Sequence, residues 1–388
     1  MTVTLGERPA DGIGRVRGPV AGALATVLPA WVAARAAVGV ALVAAHLLVH
    51  RVRPGNAGAA LRVHQGLLVW DARWYESIAT VGYGASGRQA LRFFPALPLA
   101  GRIVGWFPGI GPGLGVIIVA NLAALGGMAV LVVLVRTETG DEALARRSVW
   151  LLALAPPAFC LVLGYAEGLL LLCTTTAFLA LRSGRWWWAA AAGFAAGTVR
   201  PVGLLLAVPA VIEVCRWRWE GGRRPTDGLA RWSAVVAPLA GAGAYLGWVG
   251  VRYYDPWLPF QLQESRSLRG PVTWPLQGTG HQLVELVHGH DLLQVSHLPW
   301  VVLSLVLLVM VFRRLPASYG AFSAAVLAVS FTSSNLGSVE RYALSAFPLV
   351  IVASMWTGRR RTERNVLIVA GLAMVGYALL AFVGILVP

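Results

Sequence analysis

Lysine is missing from this chain: all 32 basic residues are arginine. Charge of either sign is scarce, at 13% of 388 residues, and only 17 residues are acidic. So little charge cannot cover a soluble protein of this length, which excludes the soluble globular class. Cysteine is almost absent. Cys160, Cys173 and Cys215 all sit inside apolar runs, which leaves no readable disulfide framework or thiolate metal site. No soluble domain and no internal repeat is visible. What remains is oil, with 57% of the residues hydrophobic, and it predicts an all-α polytopic membrane protein. The net charge of +15 does not call for nucleic acid. In such proteins a basic excess marks cytoplasmic loops that face anionic lipid.

About eleven apolar runs approach the length that crosses a bilayer: 19–49, 112–135, 149–164, 167–181, 187–199, 202–215, 233–251, 298–312, 317–332, 345–356 and 366–387. Pro156 and Pro157 should kink the third. The first run continues past signal-peptide length with no small-residue cleavage site after it, so a retained span is expected. With a cytoplasmic N-terminus, 19 of the 32 arginines fall in short inner segments. Another 12 are spread over the longer outer segments 50–111, 165–166, 200–201, 252–297 and 333–344, as the positive-inside bias expects. The stretch 93–111, with three prolines and Arg102, predicts an interfacial or re-entrant piece. Residues 1–388 then form one membrane domain, and the outer segments 50–111 and 252–297 supply its extracytoplasmic cap.

The polar features fall on that outer side. Asp71 stands among Trp70, Arg73, Trp74, Tyr75 and Tyr83. A carboxylate at the membrane edge is partly desolvated, which raises its basicity, yet substrate can still reach it. The aromatics offer flat faces for a sugar ring, and Arg73 can pair with a phosphate or with Asp71. The plainer reading of the patch is an aromatic belt with a surface ion pair. Glu167 complements a helix N-terminus or orients a hydroxyl or guanidinium. Arg200 snorkels or holds a phosphate bidentately. Arg341 pairs with its neighbour Glu340 or clamps a phosphate, with Tyr342 stacking beside it. All seven histidines lie in or near the outer half, but His288, His290 and Asp291 lack the spacing of a closed metal site. No metal or other cofactor is expected. Trp186, Trp187 and Trp188 read as interfacial anchors.

The run Trp70-Asp71-Ala72-Arg73-Trp74-Tyr75, then Ile78-Ala79, Gly82-Tyr83-Gly84 and Phe93-Phe94-Pro95-Ala96-Leu97-Pro98 resembles the bacterial, chiefly actinobacterial, PIG-V-like mannosyltransferases. These belong to the GT-C class of multi-spanning glycosyltransferases. Three further elements resemble the same family in the same order: Tyr165-Ala166-Glu167, Thr198-Val199-Arg200-Pro201-Val202-Gly203, and Glu340-Arg341-Tyr342 with Phe347-Pro348. Val69 replaces a common arginine, Ala166 replaces a hydroxyl residue, and Val199 is inserted between Thr198 and Arg200.

The resemblance implies an inverting transfer of mannose from a polyprenyl-phosphate donor to a glycan, glycolipid or protein acceptor at the outer face of the plasma membrane. Asp71 would be the base. Trp70, Arg73, Trp74, Tyr75, Tyr83, Tyr165, Glu167, Arg200, Glu340, Arg341 and Tyr342 would bind substrate. A phosphate leaves as a stable anion, so a glycosidase's pair of carboxylates is not required. A nucleotide-sugar enzyme usually needs a soluble Rossmann-like half, which is absent. The competing readings are another lipid-linked sugar donor, such as arabinose or glucose, and a non-catalytic flippase or transporter. The spans carry few ionisable residues, chiefly Arg35, His46 and Glu213, which is poor support for a translocation route.

Overall fold

The computed structural model describes residues 20–219, 227–265, 270–271, 273–274, 297–332 and 339–387, and no strand occurs among them. The N-terminal arginines, most of the 252–297 segment with Arg266 and Arg269, and the histidines 281, 288 and 290 with Asp291 lie outside the described residues. The helices are α1 (Val20–Val52), α2 (Ala57–Gln65), α3 (Asp71–Ser86), α4 (Ala96–Val104), α5 (Pro112–Thr139), α6 (Glu142–Leu154), α7 (Glu167–Arg182) and α8 (Trp186–Val199). They continue with α9 (Ala207–Trp219), α10 (Asp227–Tyr253), α11 (Leu258–Gln261), α12 (Leu298–Arg314), α13 (Ala317–Phe331), α14 (Val339–Ser345), α15 (Pro348–Met355) and α16 (Arg360–Phe382).

By length and composition, four described helices can cross a membrane: α1, α5, α10 and α16. Leu28, Val32, Val40, Val43 and Leu47 of α1 are exposed, as expected of a helix whose solvent is lipid. Most of the other runs predicted to span lie on shorter helices, and proline breaks three of them. It removes a backbone donor and clashes with the preceding turn. α6 stops at Leu154 before Pro156, where a 3-10 segment Pro156–Leu161 takes over. α8 stops at Val199 before Pro201, and a 3-10 segment Pro201–Leu206 leads into α9. The run 345–356 is divided between α14 and α15, with Pro348 at the first position of α15.

Breaks of this kind free carbonyls that lipid cannot satisfy. At the end of the first 3-10 segment, Arg35 Nη2 donates to Leu161 O at 2.9 Å, and Asn121 Nδ2 donates to Val162 O at 2.9 Å. Arg35 Nε also donates to Asn121 Oδ1 at 3.0 Å. This intramembrane arginine therefore staples α1 to α5 and to the broken end of α6.

The 93–111 stretch holds one short helix rather than a long apolar one. α4 has nine residues, a length of about 14 Å. It carries exposed Leu99 and Ile103, and exposed Trp106 and Phe107 follow it. Gly82 adopts φ +81° and breaks α3, a conformation open to glycine at little cost. The break releases the carbonyls of Ile78 and Ala79, and Arg102 of α4 takes both, at 2.9 and 2.6 Å.

α7 packs between α5 and α8, and α8 packs on α10. The α8–α10 approach is so close that a Cβ on Gly197 would run into Pro238 O, and one on Gly241 into Phe194 O. Small residues allow such contact between membrane helices. At the far end of α7, Arg182 pairs with Glu138 at 2.6 Å and with Glu213 at 3.1 Å. Ser318 donates to Glu213 at 2.6 Å and Arg216 reaches it at 2.7 Å. Glu213, one of the few acids within the predicted spans, is thus fully paired.

Replacing Gly197 by valine should push α8 off α10 and cost about 1–3 kcal/mol or more, the usual range for overpacking. The thermal unfolding midpoint in detergent should fall, and an unchanged midpoint would show that the two helices do not meet there.

Candidate functional site

Trp70 sits at φ +57° and ψ −123°. A side-chain-bearing residue in this sparsely populated region stores about 1–3 kcal/mol of strain. The indole offsets it by donating to Ala381 O of α16 at 2.9 Å, with the Arg62 guanidinium 5.1 Å above the ring. This turn makes Asp71 the first residue of α3, where the helix dipole favours an anion. The backbone N–H of Asp71 donates to the hydroxyl of Tyr165 at 3.3 Å.

Asp71 does not pair with Arg73, which is exposed on α3. Arg341 of α14 donates from Nη1 to Asp71 Oδ2 at 2.7 Å. The same guanidinium lies 3.3 Å, from Nε, off Glu167 Oε1. Arg200, at the junction of α8 and its 3-10 extension, forms a close ion pair with that oxygen of Glu167. The chain Asp71–Arg341–Glu167–Arg200 therefore joins four separated segments, and its formal charges cancel. Glu167 and Arg341 are buried, whereas Asp71 keeps 33% of its side chain exposed, so a substrate can reach it.

Aromatic rings floor this chain. Arg200 lies 5.2 Å and Arg341 5.7 Å from the Tyr342 ring centroid, and Arg341 is 5.5 Å from that of Tyr165. Burial alone would lower the Arg341 pKa, but Asp71 and then Glu167 outweigh it and the net direction is upward. Arg200 behaves alike, with Glu167 the main opposing charge. Burial raises the phenols of Tyr75 and Tyr165. Leu152, Leu161, Leu170 and Leu344 wall a recess beside Glu167 and Arg341.

The remaining predicted residues have other surroundings. Glu340 turns away from Arg341 and meets His297 at 2.5 Å, both side chains being buried. Tyr75 and Trp74 pack on Phe93, with ring centroids at 5.2 and 5.8 Å. Tyr83 donates to Phe93 O at 2.7 Å and packs on Tyr245 and Trp248, so it braces the 93–94 backbone. Two further residues, His297 and Arg92, belong to this region. Arg92 had a signal in plain sight, because it directly precedes the Phe93-Phe94-Pro95 motif.

No protein-family model matches the chain, and neither does any curated protein. Among solved structures, it is similar to the Archaeoglobus fulgidus oligosaccharyltransferase complexed with Zn and sulfate. The TM-score is 0.43 at 11% identity, over 89% of this chain and 52% of that one. It is also similar to the archaeal oligosaccharyltransferase AglB of the same organism in complex with an inhibitory peptide and a dolichol-phosphate. There the TM-score is 0.39 at 12% identity, over 89% and 55% of the two chains. The chain spans about half the length of these structures.

Replacing Glu167 by glutamine would leave two buried guanidiniums facing one third-exposed carboxylate. Removing one partner of a buried pair costs about 3–5 kcal/mol. Unfolding in detergent should shift by that order, and a shift below about 1 kcal/mol would mean that the cluster is solvated like a surface pair.

Proposed function

We propose that this protein is a GT-C-type glycosyltransferase that moves a hexosyl unit, mannosyl by resemblance, from a polyprenyl-phosphate donor to an acceptor hydroxyl. One observation carries the reading. Asp71, Tyr165, Glu167, Arg200, Arg341 and Tyr342 come from four motifs that resemble one family, and they meet in one ionic cluster. Chance placement of lone polar residues in an apolar chain gives no reason for such a meeting. Charged groups buried near a membrane are costly unless paired, and they mark functional sites.

In this reading Asp71 accepts the acceptor's proton. Arg341 takes Oδ2 and holds the carboxylate in one orientation, leaving Oδ1 for the incoming hydroxyl. Glu167 fixes Arg341 and Arg200 together. An arginine balances charge on the departing phosphate, and the nucleophile attacks the face opposite the leaving group, so the anomeric configuration inverts. Residues 1–388 work as one catalytic unit, with about eleven crossings in which short helices are completed by their 3-10 extensions. The N-terminus is cytoplasmic, and the segments 50–111 and 252–297 face outward in the plasma membrane. The acceptor is a glycan, a glycolipid or a protein.

Purified protein given polyprenyl-phosphate-mannose and a glycolipid or glycan acceptor should release polyprenyl phosphate. Failure to release it from mannosyl, glucosyl and arabinosyl donors alike would favour a flippase or scaffold. Asp71→Asn should lower turnover by about 10²–10⁴ while leaving membrane insertion intact. A loss of less than about tenfold would exclude Asp71 as the base.

A further inference from the structure

The arginines of the central cluster are already committed. Arg341 is held by Asp71 and Glu167, and Arg200 by Glu167. With those four charges cancelling, the cluster itself offers no excess positive charge to a phosphate. Arg92 does. It ends the 3-10 segment Arg88–Arg92, and among the described residues it forms no ion pair. Its Nε donates to Gln89 O at 3.2 Å, which leaves both terminal nitrogens of the guanidinium fork free of a carboxylate.

The placement of Arg92 is held from several sides. Its guanidinium carbon lies 5.1 Å from the Phe93 ring centroid and 5.9 Å from that of Trp74. These two rings stack on each other at 5.8 Å and 15°. Trp74 belongs to the turn of α3 that starts at Asp71. The backbone is pinned on either side, because Tyr245 donates to Leu91 O at 2.8 Å and Tyr83 to Phe93 O at 2.7 Å. Arg92 is half-buried, and Asp71, Tyr342 and Tyr75 all act on it electrostatically. A cation on an aromatic platform, partly out of water and with no ion pair among the described residues, is built to meet an anion.

We infer that Arg92, seated on Trp74 and Phe93, is the residue that binds the phosphoryl group of a prenyl-phosphate-linked donor, while Arg200 and Arg341 fix the carboxylates. The inference rests on the glycosyltransferase reading for the identity of the ligand. It assigns the phosphate to a residue outside the ionic chain.

The test is a binding measurement that needs no turnover. Protein in phosphatidylcholine nanodiscs is titrated with farnesyl phosphate, with farnesol and with inorganic phosphate, read by intrinsic tryptophan fluorescence. The wild type should bind farnesyl phosphate best. Arg92→Ala and Arg92→Gln should each weaken farnesyl phosphate about tenfold or more, as expected for loss of a charged hydrogen bond. Both should leave farnesol within twofold, and Arg88→Ala, at an exposed position of the same 3-10 segment, should match the wild type throughout. The glutamine variant keeps the side chain's length and polarity if alanine unsettles the fold.

Unchanged farnesyl phosphate binding in both Arg92 variants overturns the inference. So does equal weakening of the alcohol and the phosphate, or inorganic phosphate binding as tightly as the lipid. A protein that shows the Arg92-dependent binding yet transfers no sugar refutes the transferase reading alone. One that transfers sugar with an unaltered KM in Arg92→Gln refutes the assignment of Arg92 alone.

Discussion

A single guanidinium with two carboxylates to satisfy organises this molecule. Arg341 is buried, and an unpaired cation there would cost several kcal/mol. It must therefore keep both Asp71 and Glu167, 270 and 174 positions upstream in the chain. Keeping Asp71 fixes the start of α3, and keeping Glu167 fixes the start of α7. Arg200 shares the Glu167 oxygen, so the α8 junction is drawn in as well. The strained turn at Trp70 belongs to the same constraint. It delivers the carboxylate to Arg341 at the very first residue of a helix, and its cost is offset where the indole is tied to α16.

Much of this site was legible one residue at a time, and its pairings were not. Asp71, Glu167, Arg200 and Arg341 each stand out as ionisable residues in an apolar chain. Sequence neighbours then mislead. Arg73 is two positions from Asp71, and residues two apart on a helix do not face each other. Glu340 and Arg341 are adjacent in α14, so their side chains diverge, one toward His297 and the other toward Asp71. The true partners lie tens to hundreds of residues away, where no local pattern reaches. Tyr83 shows a second bond that local pattern does not reveal. Its motif position suggests a sugar platform, and its hydroxyl donates to Phe93 O.

The membrane part divides in the same way. Hydrophobicity marks the apolar runs well, and the proline kink at Pro156 appears where expected. Counting full crossings from those runs is less secure, because Pro201 and Pro348 turn continuous apolar sequence into short helices and 3-10 segments. Arg35 and Arg102 look like isolated charges in the sequence. In the fold each caps carbonyls that a break has released, Leu161 in one case and Ile78 with Ala79 in the other. Two of the few charges in apolar surroundings are thus accounted for by backbone geometry alone.

α7 carries an ionic cluster at each end, Glu167 at its first residue and Arg182 at its last. Its 16 residues reach only about 24 Å, whereas an average bilayer's oily interior is about 30 Å deep. If α7 crosses the bilayer, as proposed above, its two charged ends cannot both sit level with unperturbed headgroups on opposite leaflets. On that topology either the leaflet dips toward the protein at this helix, or one cluster lies sunk beneath the surface and walled in by its neighbours. On the proposed reading, a ligand with a greasy tail and a polar head would then meet Asp71 without leaving the oil completely, its headgroup's descent shortened by the brevity of one helix.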